Sequence, residues 1–285
     1  MIYLKEFKFL DAKRENDLFE METRKIYNSY YPVGILSFKD LERVKFSNIT
    51  IFCGGNGCGK STVLNIIAEK LNAMRKSRID KGDFFNMYVR YCDYDMFNEP
   101  YEIKVITSDD VFDYMLDVRS INMHVNRRKD SLSREYIENK YSHKNSSISQ
   151  YNELKDSYEA KTKSMSHYVR QRLVNNNIIE HSNGESALEF WEKEIDENSI
   201  YILDEPENSL SAENQLKLKQ FIEDSARFYN CQFIISTHSP FLLSLTDALI
   251  YDLDSVPVVT KKWTELNSIQ TYKKFFDEHS NEFEK

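Results

Sequence analysis

Residues 49–63 read ITIFCGGNGCGKSTV, and the parsing of this stretch decides the fold. Ile49 to Cys53 is a short apolar, β-branched and aromatic run, the pattern of a buried strand. Gly54, Gly55, Asn56, Gly57, Cys58 and Gly59 follow as a loop, and Lys60, Ser61 and Thr62 open a helix. Gly54, Gly59, Lys60 and Ser61 satisfy G-x-x-x-x-G-K-[ST], whose backbone N–H groups cradle phosphate. The sequence holds only seven glycines, four of them in these six positions, so open backbone is concentrated where a ligand must come close. The positive end of the following helix adds attraction for an anion. An ordinary glycine turn would not need Lys60 and Ser61 together.

Working outward, the 285 residues suit one large α/β domain with a subdomain, and a 41 % hydrophobic share supplies a core. A net charge of −8 excludes a dominant basic field for nucleic acid. Local basic groups remain candidates for it, namely Arg75, Lys76, Arg78 and Lys81, and Arg127, Arg128 and Lys129, although solvated helix faces are the commoner role. No apolar run is long enough to span a membrane, and MIYLKEFKFLDAKRE has no signal-peptide pattern. The four cysteines form no CxxC pair, so reduced thiols and a cytoplasmic location are expected. Cys58 inside the loop reads as a small tolerated side chain rather than a redox position.

Strands are expected over Ile2 to Phe9 and Phe46 to Cys53, with an aromatic cluster of Tyr27, Tyr30, Tyr31 and Phe38 between them. Most of those rings read as a packed corner, with one available to stack on a nucleobase. Helical spacing carries the helix after the loop to Met74, and a strand is expected near Met87 to Cys92. Ser108-Asp109-Asp110 reads as the start of a helix, and the polar chain from there to about Asn177 as helical, with KNSSISQ (144–150) the most linker-like piece. SIYILD (199–204), CQFIIS (231–236) and ALIYDL (248–253) read as strands buried on both faces of a parallel sheet, the first two joined by a helix from Ala212 to Phe228. The tail from Thr260 reads as an amphipathic closing helix.

Three further motifs surround the loop. In YILDEPENSLS (201–211) an apolar strand ends in Asp204 and Glu205, where ligands of an open α/β sheet sit. Asp204 is placed to hold Mg²⁺ beside the Ser61 hydroxyl, and Glu205 to polarise an attacking water. In STHSP (236–240), His238 ends another buried strand and is read as a γ-phosphate contact. In HSNGE (181–185), Ser182 begins a capping box, and a capped helix N-terminus is also an anion site.

Together and in this order the motifs resemble those of ABC-type ATPases, over about residues 46–254. GGNGCGKS looks like Walker A, HSNGE like the LSGGQ signature, YILDEPE like Walker B, Ser209-Leu210-Ser211 like the D-loop and STHSP like the switch-histidine loop. LDEPENSLS and QFIISTHSPFLL are closest to the stand-alone soluble bacterial members, often labelled AAA family ATPases. The resemblance implies an α/β P-loop NTPase with a mixed-sheet core and a helical subdomain, about 108–195, inserted between Walker A and the signature. It implies ATP and Mg²⁺ as ligands, and a homodimer in which Ser182 and Gly184 of one copy close on the ATP held by the other.

Asn183 and Glu185 depart from the usual signature, and no Gln lies between Lys60 and Gln150, where the family's Q-loop would be. A polar group in Tyr91 to Asn98 is the expected substitute. About 120 residues separate Ser61 from Ser182, enough for a helical subdomain but not for long coiled-coil arms. About 30 residues follow Asp254, so any effector is expected on another polypeptide. The reading is an ATP-hydrolysing, dimerising switch, in DNA repair or phage defence, with a transporter's nucleotide-binding subunit as the alternative.

Overall fold

A computed structural model describes residues 1–21, 29–77, 79, 82–141, 151–172, 183–208 and 210–283. Tyr27, Arg78, Lys81, His181, Ser182, Ser209 and the 144–150 stretch lie outside the described residues. The chain divides into two compact units, residues 1–112 with 187–285, and residues 113–186.

The first unit carries a six-stranded sheet in the order β5 (Ile103–Thr107), β6 (Ile200–Asp204), β7 (Gln232–Ser236), β3 (Ile49–Cys53), β8 (Leu249–Asp252), β9 (Val259–Thr260). All neighbours are parallel except β9, which runs antiparallel to β8. Every residue of β3 and β7 is buried, as the unbroken apolar runs require for strands covered on both faces. A second, antiparallel sheet orders β2 (Arg43–Lys45), β1 (Leu4–Lys8) and β4 (Asp93–Met96).

Gln232 joins the two sheets. It is fully buried, its Oε1 accepts from the Tyr3 and Leu4 backbone N–H groups at 2.9 and 2.8 Å, and its Nε2 donates to the Leu4 and Ser47 carbonyls at 2.9 and 3.0 Å. One amide thereby satisfies four backbone groups that would otherwise be buried unpaired.

Helix α2 (Lys60–Lys70) packs Val63, Leu64, Ile66 and Ile67 into the core, each worth about 1.5–3 kcal/mol of transfer free energy. It stops four residues short of the expected Met74. Asn72 turns into the left-handed region at φ 52°, and Met74 instead forms a parallel bridge with Lys104 beside β5. The expected strand near Met87 to Cys92 is a helix, α3 (Asp83–Tyr91). Phe84, Phe85, Tyr88, Val89 and Cys92 are all buried, a spacing that only a helix can turn to one side. Strand β5, which the sequence reading passed over, lies among charged neighbours and forms the sheet edge beside β6.

The expected strand at Ile2 to Phe9 is β1, and helix α8 (Ala212–Phe228) spans the expected residues, N-capped by Ser211 Oγ accepting from Asn214 N. The short helix α9 (Pro240–Leu243) is capped by Ser239, and the tail forms α10 (Asn267–Glu278) and α11 (Ser280–Phe283). Helix α4 (Ser108–Tyr141) begins at the expected Ser108 with Asp109 and Asp110 in its first turn, and the cap is made by Thr107, whose N donates to Asp110 Oδ2 at 2.8 Å.

In the second unit α4 continues, with α5 (Tyr151–Thr162) and α6 (Met165–Arg172). Its packing centres on Tyr136 and Tyr168, edge to face at 5.4 Å between centroids, while Arg172 lies 3.7 Å over the Tyr168 ring and pairs with Asp156 and Glu159. Helix α7 (Asn183–Glu194) follows, and its Phe190 and Trp191, which belong to the first unit, are buried.

Replacing Gln232 by Leu is expected to cost about 3 kcal/mol or more, because four backbone groups lose their partners at once. Urea unfolding measures this, and a loss below about 1 kcal/mol would mean that Gln232 does not join the sheets.

Candidate functional site

The register of the parallel strands sets one row across the sheet. Thr107 lies opposite Asp204, Asp204 opposite Ser236, Ser236 opposite Phe52, and Phe52 opposite Tyr251. This row ends the strands just before the glycine loop, the two acids and the histidine segment, so their side chains meet at the carboxyl end of the sheet. Ser236 organises the acids. Its Oγ donates to Asp204 Oδ1 and accepts from Glu205 N at 3.1 Å, while its carbonyl accepts from the same N–H at 3.0 Å. Ser61 Oγ, in the first turn of α2, donates to Asp204 Oδ1 at 3.2 Å.

Glu205 occupies the left-handed region at φ 48°, a conformation that costs a non-glycine residue of order 1–3 kcal/mol and points to a site where position outweighs stability. Its carboxylate is held by three neighbours. Asn208 Nδ2 donates to Oε2 at 3.1 Å, Lys60 Nζ is 3.5 Å from Oε1, and His238 Nδ1 is 3.7 Å from Oε1.

In the loop, Gly59 precedes α2 at φ +100°, where a Cβ would meet Ile35 Cγ2 at 3.0 Å. At Gly54, φ +152°, a Cβ would stand 2.6 Å from Cys58 Sγ and 3.0 Å from an Asp254 carboxylate oxygen. Neither position tolerates a side chain. Lys60 is 5 % exposed, and its Nζ donates to the Gly54 and Gly55 carbonyls at 3.1 and 3.2 Å, so the cation lies folded over the loop. Asp254 caps the far side, accepting from Gly55 N at 3.0 and 2.9 Å through its two oxygens. Burial pushes the Cys58 thiol above its ordinary pKa, which agrees with a packing role. Burial foremost, then Asp252 and Asp254, pushes the Cys53 thiol up to about 12.

The structure brings Gly54, Gly55, Asn56, Gly57, Cys58, Gly59, Lys60, Ser61 and Thr62 together with Asp204, Glu205 and His238. Gly184 lies in the first turn of α7, and Ser182 precedes the described residues of that helix. The expected Q-loop substitute in Tyr91 to Asn98 is not at this site. That stretch ends α3 and forms β4 in the antiparallel sheet, and the residue beside Asp204 is Thr107, whose hydroxyl donates to Asp110 Oδ2 at 2.9 Å. Of the basic candidates, Arg75 bonds Asn65 and the Ser77 carbonyl, and Lys76 pairs with Glu194, so both are engaged within the chain. Of the aromatic cluster, Tyr31 stacks on Phe85, Tyr30 lies against Phe19 and Phe84, and Phe38 is 80 % exposed.

Sequence reading missed Glu207, Asn208 and Asp254. Glu207 accepts from Thr237 Oγ1 at 2.6 Å and from the backbone N–H groups of His238 and Ser239 at 3.0 and 3.2 Å. A third acid within four positions of a buried strand was the available signal for it. Asp254 and Asn208 act through folded-back turns and leave no such signal.

The donor set fits a nucleotide triphosphate with Mg²⁺. Gly57, at φ +78°, has open space where a Cβ would stand, and the loop presents a lysine and a helix N-terminus to an anion. Among the described residues no three His, Cys, Asp or Glu side chains form a metal cluster.

An AAA domain family model matches residues 33–281, which include every motif of the ABC-type resemblance. No curated protein matches the chain. Among solved structures, a metal-chelate type ABC transporter in an inward-facing conformation is similar at 15 % identity and TM-score 0.38, over 95 % of this chain and 88 % of that one. An Smc head domain with an extended coiled coil, bound to the C-terminal domain of ScpA and derived from Pyrococcus furiosus, is similar at 13 % identity and TM-score 0.40, over 98 % and 99 %. Chains so far apart say nothing of each other's cargo or partners. The family match spans most of the sequence, and the chain belongs to the AAA domain family.

Proposed function

We propose that the chain binds ATP with Mg²⁺, hydrolyses it, and works as an ATP-dependent dimerising switch. The observation that carries this is the junction of Ser61 Oγ with Asp204 Oδ1 at 3.2 Å, with Lys60 Nζ 3.5 Å from Glu205 in the same cluster. Phosphate-loop hydroxyl, metal-binding acid, loop lysine and general base are thereby adjacent.

Ser61 and Asp204 would hold Mg²⁺, which when bound neutralises phosphate charge. Lys60 would leave the Gly54 and Gly55 carbonyls for phosphate oxygens, a charge-assisted exchange that also frees Glu205. Glu205, anchored by Asn208, would then take a proton from the attacking water, and His238 would hold the geometry at the γ-phosphate. Among the described rings of the aromatic cluster, Phe38, exposed on the Ser37–Lys39 turn, would stack on the base.

Ser182 and Gly184 of a second copy would close the site, which links ATP binding to dimerisation. The helical subdomain of about 108–195 would carry that signature. The output would pass to a separate effector or to nucleic acid, as in DNA repair or phage defence, and a cytoplasmic location suits both. Among the described residues no helix is long and apolar enough to cross a membrane. The switch is preferred to a transporter subunit because Thr107, not a glutamine, stands beside Asp204.

Lys60→Ala removes the charge-assisted bonds to phosphate and is expected to weaken ATP binding about 100-fold by calorimetry. Unchanged affinity would refute the site. Glu205→Gln is expected to retain ATP and accumulate as a dimer on gel filtration with ATP and Mg²⁺, and a strictly monomeric variant would sink the dimerising switch.

A further inference from the structure

Glu207 is a buried acid whose bonds the proposed chemistry does not use. Its side chain is 4 % exposed. The three donors to its Oε1 come from consecutive residues, Thr237 Oγ1, His238 N and Ser239 N, so one oxygen fixes the backbone on both sides of the imidazole. Its Oε2 is buried with no hydrogen-bond partner among the described residues. A fold that needed only to tie down the end of β7 could use a neutral acceptor, since burying a carboxylate with a bare oxygen is costly. The charge therefore requires its own explanation.

The imidazole supplies one. His238 Nδ1 is 3.6 Å from Glu207 Oε1 and 3.7 Å from Glu205 Oε1. Both distances lie beyond hydrogen-bond length, yet close enough for a carboxylate to bias which ring nitrogen holds the proton. The nitrogen that faces a carboxylate keeps its proton, and the other becomes the outward one. Glu205 cannot serve this purpose throughout a turnover, because it must also engage the water.

We propose that Glu207 is the positioning residue of His238. It locks the 237–239 backbone through Oε1 and keeps a proton on Nδ1, so that Nε2 is offered to the phosphates while Glu205 is occupied with water. The proposal rests on the ATPase reading and adds to it a second, buried acid with no direct contact to the nucleotide.

Glu207→Gln separates charge from clamp, because the amide oxygen still accepts the three donors. Steady-state ATP turnover is expected to fall about tenfold in kcat, with KM for ATP within about twofold. Paired with His238→Ala, the double variant should be no slower than His238→Ala alone, since residues acting as a unit are non-additive. Wild-type kcat in Glu207→Gln, or losses that multiply in the double variant, would overturn the proposal. The nucleotide-free wild-type protein gives a readout that needs no stable Glu207 variant. With ¹⁵N-labelled histidine, and His238 assigned by its disappearance in His238→Ala, Nδ1 should carry a proton. A ring protonated only at Nε2 would overturn the proposal. Absence of ATP turnover in the wild type would instead overturn the ATPase reading, and the imidazole signal would still decide the role of Glu207.

Discussion

The site depends on the register of four parallel strands. Thr107, Asp204, Ser236 and Phe52 stand in one row, so the segments that follow them emerge side by side. A slip of one residue in β3 or β6 would turn its side chains to the other face and separate Asp204 from Ser61. Because β3 and β7 are buried throughout, the register is held by packing on both faces, and Gln232 at the start of β7 fixes the same strand against the antiparallel sheet. The energy that aligns the chemistry is thus core energy, spent far from the chemistry itself.

With its strands aligned, the site's polar groups are partnered within the chain. Lys60 is folded onto the Gly54 and Gly55 carbonyls and faces Glu205, while Asp204 takes the Ser61 and Ser236 hydroxyls. The left-handed conformation of Glu205 is kept by two acceptors on Ser236 for its N–H, which offset the local strain.

The sequence made the phosphate loop, the strands of the parallel sheet and helix α8 legible because each has a local signal: a glycine-dense loop, short unbroken apolar runs, and a long periodic segment with a serine cap. It misled near Met87 to Cys92, where a strand is expected, because Phe84, Phe85, Tyr88 and Val89 have high strand preference yet bury at helical spacing in α3. The helix wins there because one face packs into the hydrophobic core, a tertiary outcome that propensity does not carry. Asp204, Glu205 and His238 were legible as strand-end polar residues. Glu207 and Asn208 were not, since their partners are Thr237 to Ser239 and Glu205, and only the turn at 205–208 brings them into reach.

If the 54–61 loop and Asp204 form one metal–triphosphate site, nucleotide and cation bind there together. A crystal structure of the full chain with a non-hydrolysable ATP analogue and Mg²⁺ tests it most directly. The expected result is phosphates wrapped by residues 54–61, the cation on Ser61 Oγ and close to Asp204, and Lys60 moved from the Gly54 and Gly55 carbonyls to the phosphates. Nucleotide bound elsewhere, or a loop still closed on Lys60 with the analogue present, would contradict it.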